Sequence, residues 1–318
     1  MQLDFWEVLS NLIGLFLLIA VGYGAVRLNV IPASASAVLS KLLLKIALPC
    51  TIFTSLLRPY DPTFLKDILI VIALGLALFP VNALLARLLS GLCRVPDGRR
   101  GVWSFCATFC NNGFMGFPIA LALFGEEGLA LAAVFGLPFN LLVYSVGVAM
   151  VCMDRPKQAD GSEKINWRSV LVTGINIAAV LGLVFYFAQL SVPTAVLTPL
   201  THLSNITTPL SMFVTGMNLT GGKFTALFRD RDMLSASAAR LALMPLISFA
   251  ILTGLNAIFP FGNPLILGVV FIIMAMPAPA VATILAENYG ANREFAAGIV
   301  FLSSLFCIIT IPLMALLL

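Results

Sequence analysis

The sequence predicts an all-α polytopic membrane protein, with ten transmembrane helices arranged as two inverted five-helix repeats and with broken, crossing helices 4 and 9. Three observations predict it. Of the 318 residues, 60% are hydrophobic and only 10% charged, and the mean hydropathy is +1.05, far more apolar than a soluble chain of this length. Apolar runs of about 20 residues recur from end to end, the length that crosses a hydrocarbon core. One run is interrupted by Asn111-Asn112-Gly113-Phe114-Met115-Gly116-Phe117-Pro118, and another, in the other half, by Met276-Pro277-Ala278-Pro279. Irregular backbone at that depth is tolerated only inside the protein or along a cavity, so each break marks a candidate pathway.

Taken in order, the expected spans are residues 7–26, 36–57, 68–89, 102–124, 129–153, 167–190, 194–219, 233–255, 264–286 and 295–317. The first follows Asp4 and Glu7 and lacks a basic leader, so it reads as a retained helix and not a signal peptide. The one sizeable polar connection, residues 154–166, divides a first repeat (1–153) from a second (167–318). Trp6 and Trp167, Pro118 and Pro279, and Glu126 and Glu287 all stand at a constant offset of 161. One shared offset at three separated places indicates duplication. With five helices per repeat, an odd number, the second copy must enter the membrane from the opposite face.

Basic residues set the orientation. One set of connections holds thirteen of them, from Arg27 and Arg99 through Arg155 to Arg293, whereas the opposite set holds only Arg58 and Lys66. By the positive-inside rule the first set and the 154–166 link are cytoplasmic and both termini lie outside, in a plasma membrane. The net charge of +4 therefore reports topology. No nucleic-acid partner is implied; the surrounding partner is lipid.

Direction gives the breaks chemistry. Pro118 and Pro279 suit the first turn of a restarted helix, where the missing N–H would be unpaired anyway. Both restarted half-helices then aim their N-termini at the midplane, which favours an anion. Asn111, Asn112, Gly113, Gly116 and Pro118 at the first break, with Pro277, Ala278 and Pro279 at the second, form the expected binding region; Asn112 is expected to matter more than Asn111. Lys45 and Arg240 lie about two turns inside their spans, without a deep carboxylate partner. Anionic substrate, backbone carbonyls, water or snorkelling to the interface are their open alternatives. Asn218, with Thr215 and Gly216, offers a further polar patch; close helix packing explains the glycine equally well. The six cysteines and lone His202 lack metal-ligand spacing, and neither HExxH, GxSxG nor a mid-span aspartate pair is present. No metal, no cofactor and no enzyme activity are expected.

These motifs, together with Pro209-Leu210-Ser211-Met212 through Gly216 and Leu285-Ala286-Glu287-Asn288-Tyr289-Gly290, make the chain resemble the auxin efflux carrier family across essentially its whole length. Relatives there include PIN-type auxin carriers and bacterial malonate or malate permeases. The resemblance implies a crossover fold with helices 1, 2, 6 and 7 as scaffold and the two remaining triplets as a mobile domain. It also implies elevator-type alternating access, a homodimer, and crossing-point roles for Asn112, Pro118, Pro277 and Pro279. The long hydrophilic loop of plant PIN carriers is absent. Sodium-coupled bile-acid transporters are also similar, but Pro277-Ala278-Pro279 replaces their acidic residue at the second crossing. The expected function is a secondary transporter of small organic anions, mono- or dicarboxylates, by efflux or uniport; proton- or sodium-coupled import is the alternative, with an intramembrane enzyme or channel less favoured.

Overall fold

The computed structural model describes residues 5–154, 173–220 and 227–318. The polar link with Arg155, Lys157, Glu163 and Lys164, the segment with Trp167 and Arg168, and Lys223 lie outside the described residues. All regular structure in the described residues is helical. The first half comprises α1 (Phe5–Arg27), α2 (Ala35–Leu42), α3 (Leu48–Ser55), α4 (Pro62–Leu92), α5 (Arg100–Thr108), α6 (Phe117–Leu142) and α7 (Val148–Cys152). The second comprises α8 (Gly174–Ala188), α9 (Thr194–Asn205), α10 (Thr207–Asn218), α11 (Arg231–Ala238), α12 (Met244–Ile258), α13 (Pro264–Met274), α14 (Val281–Asn288) and α15 (Arg293–Ala315). Wider π-turns join α2 to α3 (Leu43–Ala47), precede α6 (Asn112–Gly116), join α6 to α7 (Val143–Gly147) and join α11 to α12 (Ala239–Leu243).

Six helical stretches among the described residues are long and apolar enough to cross a membrane: Ser10–Arg27, Ala35–Ser55, Pro62–Leu92, Arg100–Cys152, Arg231–Ile258 and Arg293–Ala315. The chain is therefore a multi-pass membrane protein. Gly174–Ala188 and Pro264–Met274 are apolar but shorter, and α9 and α10 are short pieces meeting at Ile206. Arg100–Cys152, at 53 residues, would be roughly 80 Å long as unbroken helix at 1.5 Å per residue, more than one crossing needs. It turns at Gly125, whose φ of 66° and ψ of −161° interrupt the helix. Only glycine takes that conformation cheaply.

Three of the π-turns end two residues before a proline: Ala47 before Pro49, Gly116 before Pro118 and Leu243 before Pro245. A proline ring has no N–H to donate and clashes with the carbonyl four residues back; widening the preceding turn relieves both. Proline alone does not dictate this, since Pro80, Pro138, Pro199 and Pro312 sit inside helices without such a turn after the same fashion. Helix starts are capped in the ordinary way. Asp61, Thr173, Asp230, Asn263 and Asn292 each accept a first-turn N–H, satisfying donors that a helix leaves orphaned.

Two groups of helices emerge from the packing. In one, α1 lies along α10 while α3 packs against α8 and α9; in the other, α4 packs on α5 and α6, α6 on α13, α13 on α12, and α15 on α11 and α14. The α1–α10 crossing is very close. A Cβ placed on Gly216 would sit 1.9 Å from the carbonyl oxygen of Ile19, and one on Gly22 would sit 2.0 Å from that of Phe213. The packing explanation of Gly216 is thus the one that the structure supports. Helix α4 carries apolar residues on both faces: Ile68, Val71, Leu78 and Phe79 are buried while Leu69, Leu76, Leu84 and Leu88 are exposed, as a helix touching lipid on one side requires. Asp67, expected just outside its span, lies in the second turn of α4, nearly buried, and accepts from Asn263 Nδ2 at 2.7 Å.

Candidate functional site

Both expected breaks are present, and they touch. Helix α5 ends at Thr108, Phe109 is extended (φ −93°, ψ 149°), and helix resumes only through the π-turn at Asn112. Helix α13 ends at Met274, and α14 begins at Val281. The backbone N–H of Asn111 donates to the carbonyl of Pro277 at 2.8 Å, pinning one crossing to the other. Phe79, Phe105 and Phe135 form one aromatic cluster with Phe109 of the first break.

The freed backbone groups are largely accounted for locally, as an apolar surrounding demands. Asn111 Oδ1 accepts from the N–H of Phe114 at 3.2 Å, and the N–H of Gly116 donates to the Asn111 carbonyl at 3.0 Å. Across the second break, Ala278 N–H donates to Ser303 Oγ at 3.1 Å and Ala282 N–H to the Pro279 carbonyl at 2.9 Å. Pro277 and Pro279 bring no N–H at all, so they lower the number of donors that must be matched.

Beside the crossing lies a cavity of about 250 Å³, bounded by Asn111 and Phe114, by Thr215, Asn218 and Leu219 at the end of α10, by Ala280 and Thr283, and by Ala297, Val300, Phe301 and Ser304 of α15. None of these lining residues is charged. Thr215 Oγ1 donates to the Ser211 carbonyl at 2.8 Å and Thr283 Oγ1 to that of Ala280 at 2.9 Å, so both hydroxyls face the cavity region with acceptor capacity left and their protons used. Side-chain N–H donors come from the amides of Asn111 and Asn218. A larger cavity of about 490 Å³, between Phe124, Phe249, Asn256, Asn263 and Leu318, reaches neither break. The smaller one is the candidate site because it borders both interruptions.

The expected residues divide by position. Asn111 and Asn218 line the cavity, and Ala278 and Pro279 lead into the lining residue Ala280. Asn112 lies behind, only 3% exposed, with its amide against Gly116 and Gly136, whose added Cβ atoms would approach it at 3.1 and 3.2 Å. Its Oδ1 is buried without a hydrogen-bond partner. The structure thus places Asn111, and not Asn112, in the cavity wall. Gly113, Gly116, Pro118 and Pro277 shape the crossing backbone. Lys45 is exposed on the outer face of its π-turn and is not among the cavity-lining residues. Arg240 is completely buried and faces carbonyls: Nε donates to Met276 at 3.0 Å, one terminal nitrogen to Ala107 and Thr108 at 3.1 and 2.8 Å, and the other to Met274. Of the alternatives left open for it, backbone carbonyls are the partner.

Sequence reasoning missed Thr283, Ser303, Ser304, Phe114 and Phe301. The pair Ser303-Ser304 in an otherwise apolar helix was the available signal. It is weak, because membrane hydroxyls ordinarily bond back to their own helix, as Ser145 and Thr253 do.

Two helix interruptions crossing within a multi-pass bundle, with a small polar cavity beside them, define a transport protein. Comparison with known proteins agrees: a family model described as membrane transport protein matches twice, over residues 7–168 and 162–315. The chain belongs to that family, the one that contains the auxin efflux carriers. It is 25% identical over 306 residues to an uncharacterized transporter of Methanothermobacter thermautotrophicus, covering 96% of both chains. With an uncharacterized transporter of Methanocaldococcus jannaschii it shares 24% identity over 307 residues, covering 93% of this chain and 94% of the other. Family membership indicates transport and not catalysis.

Proposed function

We propose that the protein is a secondary transporter of small organic anions, and that the cavity beside the crossing is where one binds. The carrying observation is that Asn111 belongs at once to the first break, to the contact with the second and to the cavity wall. A volume of about 250 Å³ suits a compact organic acid. The lining offers amide donors, hydroxyl acceptors and the first turn of α14 but no cationic side chain, which fits one carboxylate better than two: a second negative charge would be desolvated without a counter-charge. Small monocarboxylates are therefore the preferred class.

This reading takes the ten-helix inverted repeat as the architecture. The exchange of partners in the packing, α1 with α10 and α3 with α8, supports it. The division into repeats at 1–153 and 167–318 follows. By the positive-inside rule the basic residues around Arg229, Arg231 and Arg293 are cytoplasmic, so both termini lie outside and the cavity, near the end of α10 and the start of α15, is reached from the cytoplasm. The two packing groups are what an elevator mechanism needs: α1–α3 with α8–α10 as a static scaffold and the rest as the moving body. A homodimer through the scaffold is part of the same proposal. A monoanion leaving an inside-negative cell gains about 2.3 kcal/mol per 100 mV, so efflux or uniport needs no coupling ion.

The test is a thermal-stability screen of the purified protein against organic acids graded in size and charge, since a ligand raises stability by mass action. Stabilisation by small monocarboxylates, with uptake of the same compounds into liposomes driven by an inside-positive potential, is the expected result. Stabilisation only by cationic or neutral solutes would overturn it.

A further inference from the structure

Arg240 is fully buried in the middle of the crossing bundle, where the deepest lining is apolar, yet among the described residues it forms no salt bridge. Four of its five N–H groups are directed at main-chain carbonyls. Ala107 and Thr108 are the last two residues of α5, which ends at the first break; Met274 is the last of α13 and Met276 lies inside the second break. Each helix end carries orphan carbonyls and close to half a negative charge. Two such ends meeting around one point sum to about one unit of negative charge. A single cation neutralises it.

Crossing helices commonly present their unwound carbonyls and C-terminal ends to a bound metal cation. In this chain a guanidinium already occupies those carbonyls, and its planar fork reaches acceptors at the ends of both broken helices. The π-turn Ala239–Leu243 that carries Arg240 ends two residues before Pro245, and the extra residue it inserts changes the direction of the side chains it carries. The π-turn thus carries the charge at the crossing.

We propose that Arg240 is the resident cation of the crossing: by holding the C-terminal carbonyls of both broken helices it stands in for a coupling metal ion, so the crossing is complete without sodium. Arg240 is a positioning residue, since it does not line the cavity. The proposal deepens the transport reading and rests on it only for the consequence that transport is sodium-independent; the structural part is read on the protein without substrate.

The first measurement is the melting temperature of the purified wild-type protein in sodium chloride and in choline chloride at equal ionic strength. No difference is expected, and transport in liposomes should run equally fast in both salts. A sodium-specific rise in melting temperature would overturn the proposal even if no substrate were known. The second uses Arg240→Ala, expected to melt at least about 5 °C lower and to regain part of the loss in millimolar methylguanidinium, which leaves the wild type unchanged. An equal response of the two proteins to methylguanidinium would overturn it. If the alanine variant cannot be purified, Arg240→Lys and Arg240→Met decide. They are similar in length and one charge apart; the lysine protein must be the more stable, and parity or the reverse order refutes a need for the cation. Failure of the substrate screen with these results intact would sink the proposed substrate class and leave the resident cation standing.

Discussion

Replacing Asn111 separates its two jobs. Its Oδ1 caps the π-turn through the N–H of Phe114 at 3.2 Å, while its side-chain N–H groups are the donors available to the cavity. Asn111→Asp keeps the capping oxygen and adds a negative charge at a helix start, which the backbone tolerates well; stability should hold within about 1 kcal/mol. The same change replaces the donor by a like charge. At about 4 Å from a bound carboxylate, with an effective dielectric constant near 20, the repulsion is about 4 kcal/mol, on top of a lost charged hydrogen bond of about 1.5 to 3 kcal/mol. Affinity should fall by at least a thousandfold. Asn111→Ala removes the donor without adding charge, predicting about a tenfold to hundredfold loss, and it also loses the cap, about 1 kcal/mol of stability. The assay is ligand binding by calorimetry beside thermal unfolding of the same preparations. If Asn111→Asp folds and binds the anion as the wild type does, the site is elsewhere.

Further outcomes follow from the same geometry. Gly216→Ala should destabilise by about 1 to 3 kcal/mol, because its Cβ would meet the Ile19 carbonyl at 1.9 Å, whereas Gly14→Ala, with nothing within 4 Å, should show no loss in the same thermal scan. Lys45→Gln should leave binding of the anion unchanged, since Lys45 is on the outside; a tenfold loss of affinity would return it to the pathway. Asp154 caps α5 through the N–H groups of Gly101 and Val102 at 2.8 and 2.7 Å, so Asp154→Ala should cost about 1 to 3 kcal/mol for each orphaned donor. Burial pushes the Asp154 carboxyl above its ordinary 3.8, against the pull of those two N–H groups and of Arg87. The folded state then binds the proton more tightly than the unfolded one. Its contribution is fully present below pH 3.8 and is lost as pH rises through the raised folded value. Asp154→Asn should flatten that limb of the melting-temperature profile, and an unchanged profile would assign the limb to other groups.

The sequence by itself determined the class and the location of the breaks. Apolar runs of membrane-crossing length with few charges inside them belong in a bilayer, and Pro118, Pro277 and Pro279 limit helical hydrogen bonding wherever they stand; both effects are local and survive without knowledge of neighbours. It also left Arg240 correctly framed, as a deep charge that needs a partner. The identity of the partner was not legible, because Ala107, Thr108, Met274 and Met276 contribute only carbonyls, and every residue has one. The placement of Asn111, and not Asn112, in the cavity wall has the same origin: adjacent residues in an extended break point in different directions, and which one faces the cavity depends on where α10 and α15 pack. Thr283 and Ser304 belong to the site only through that packing. The tertiary structure alone decided these assignments, since they are distances between separate helices, from 34 residues apart for Arg240 and Met274 to 133 for Arg240 and Ala107, and local preference carries no information about them.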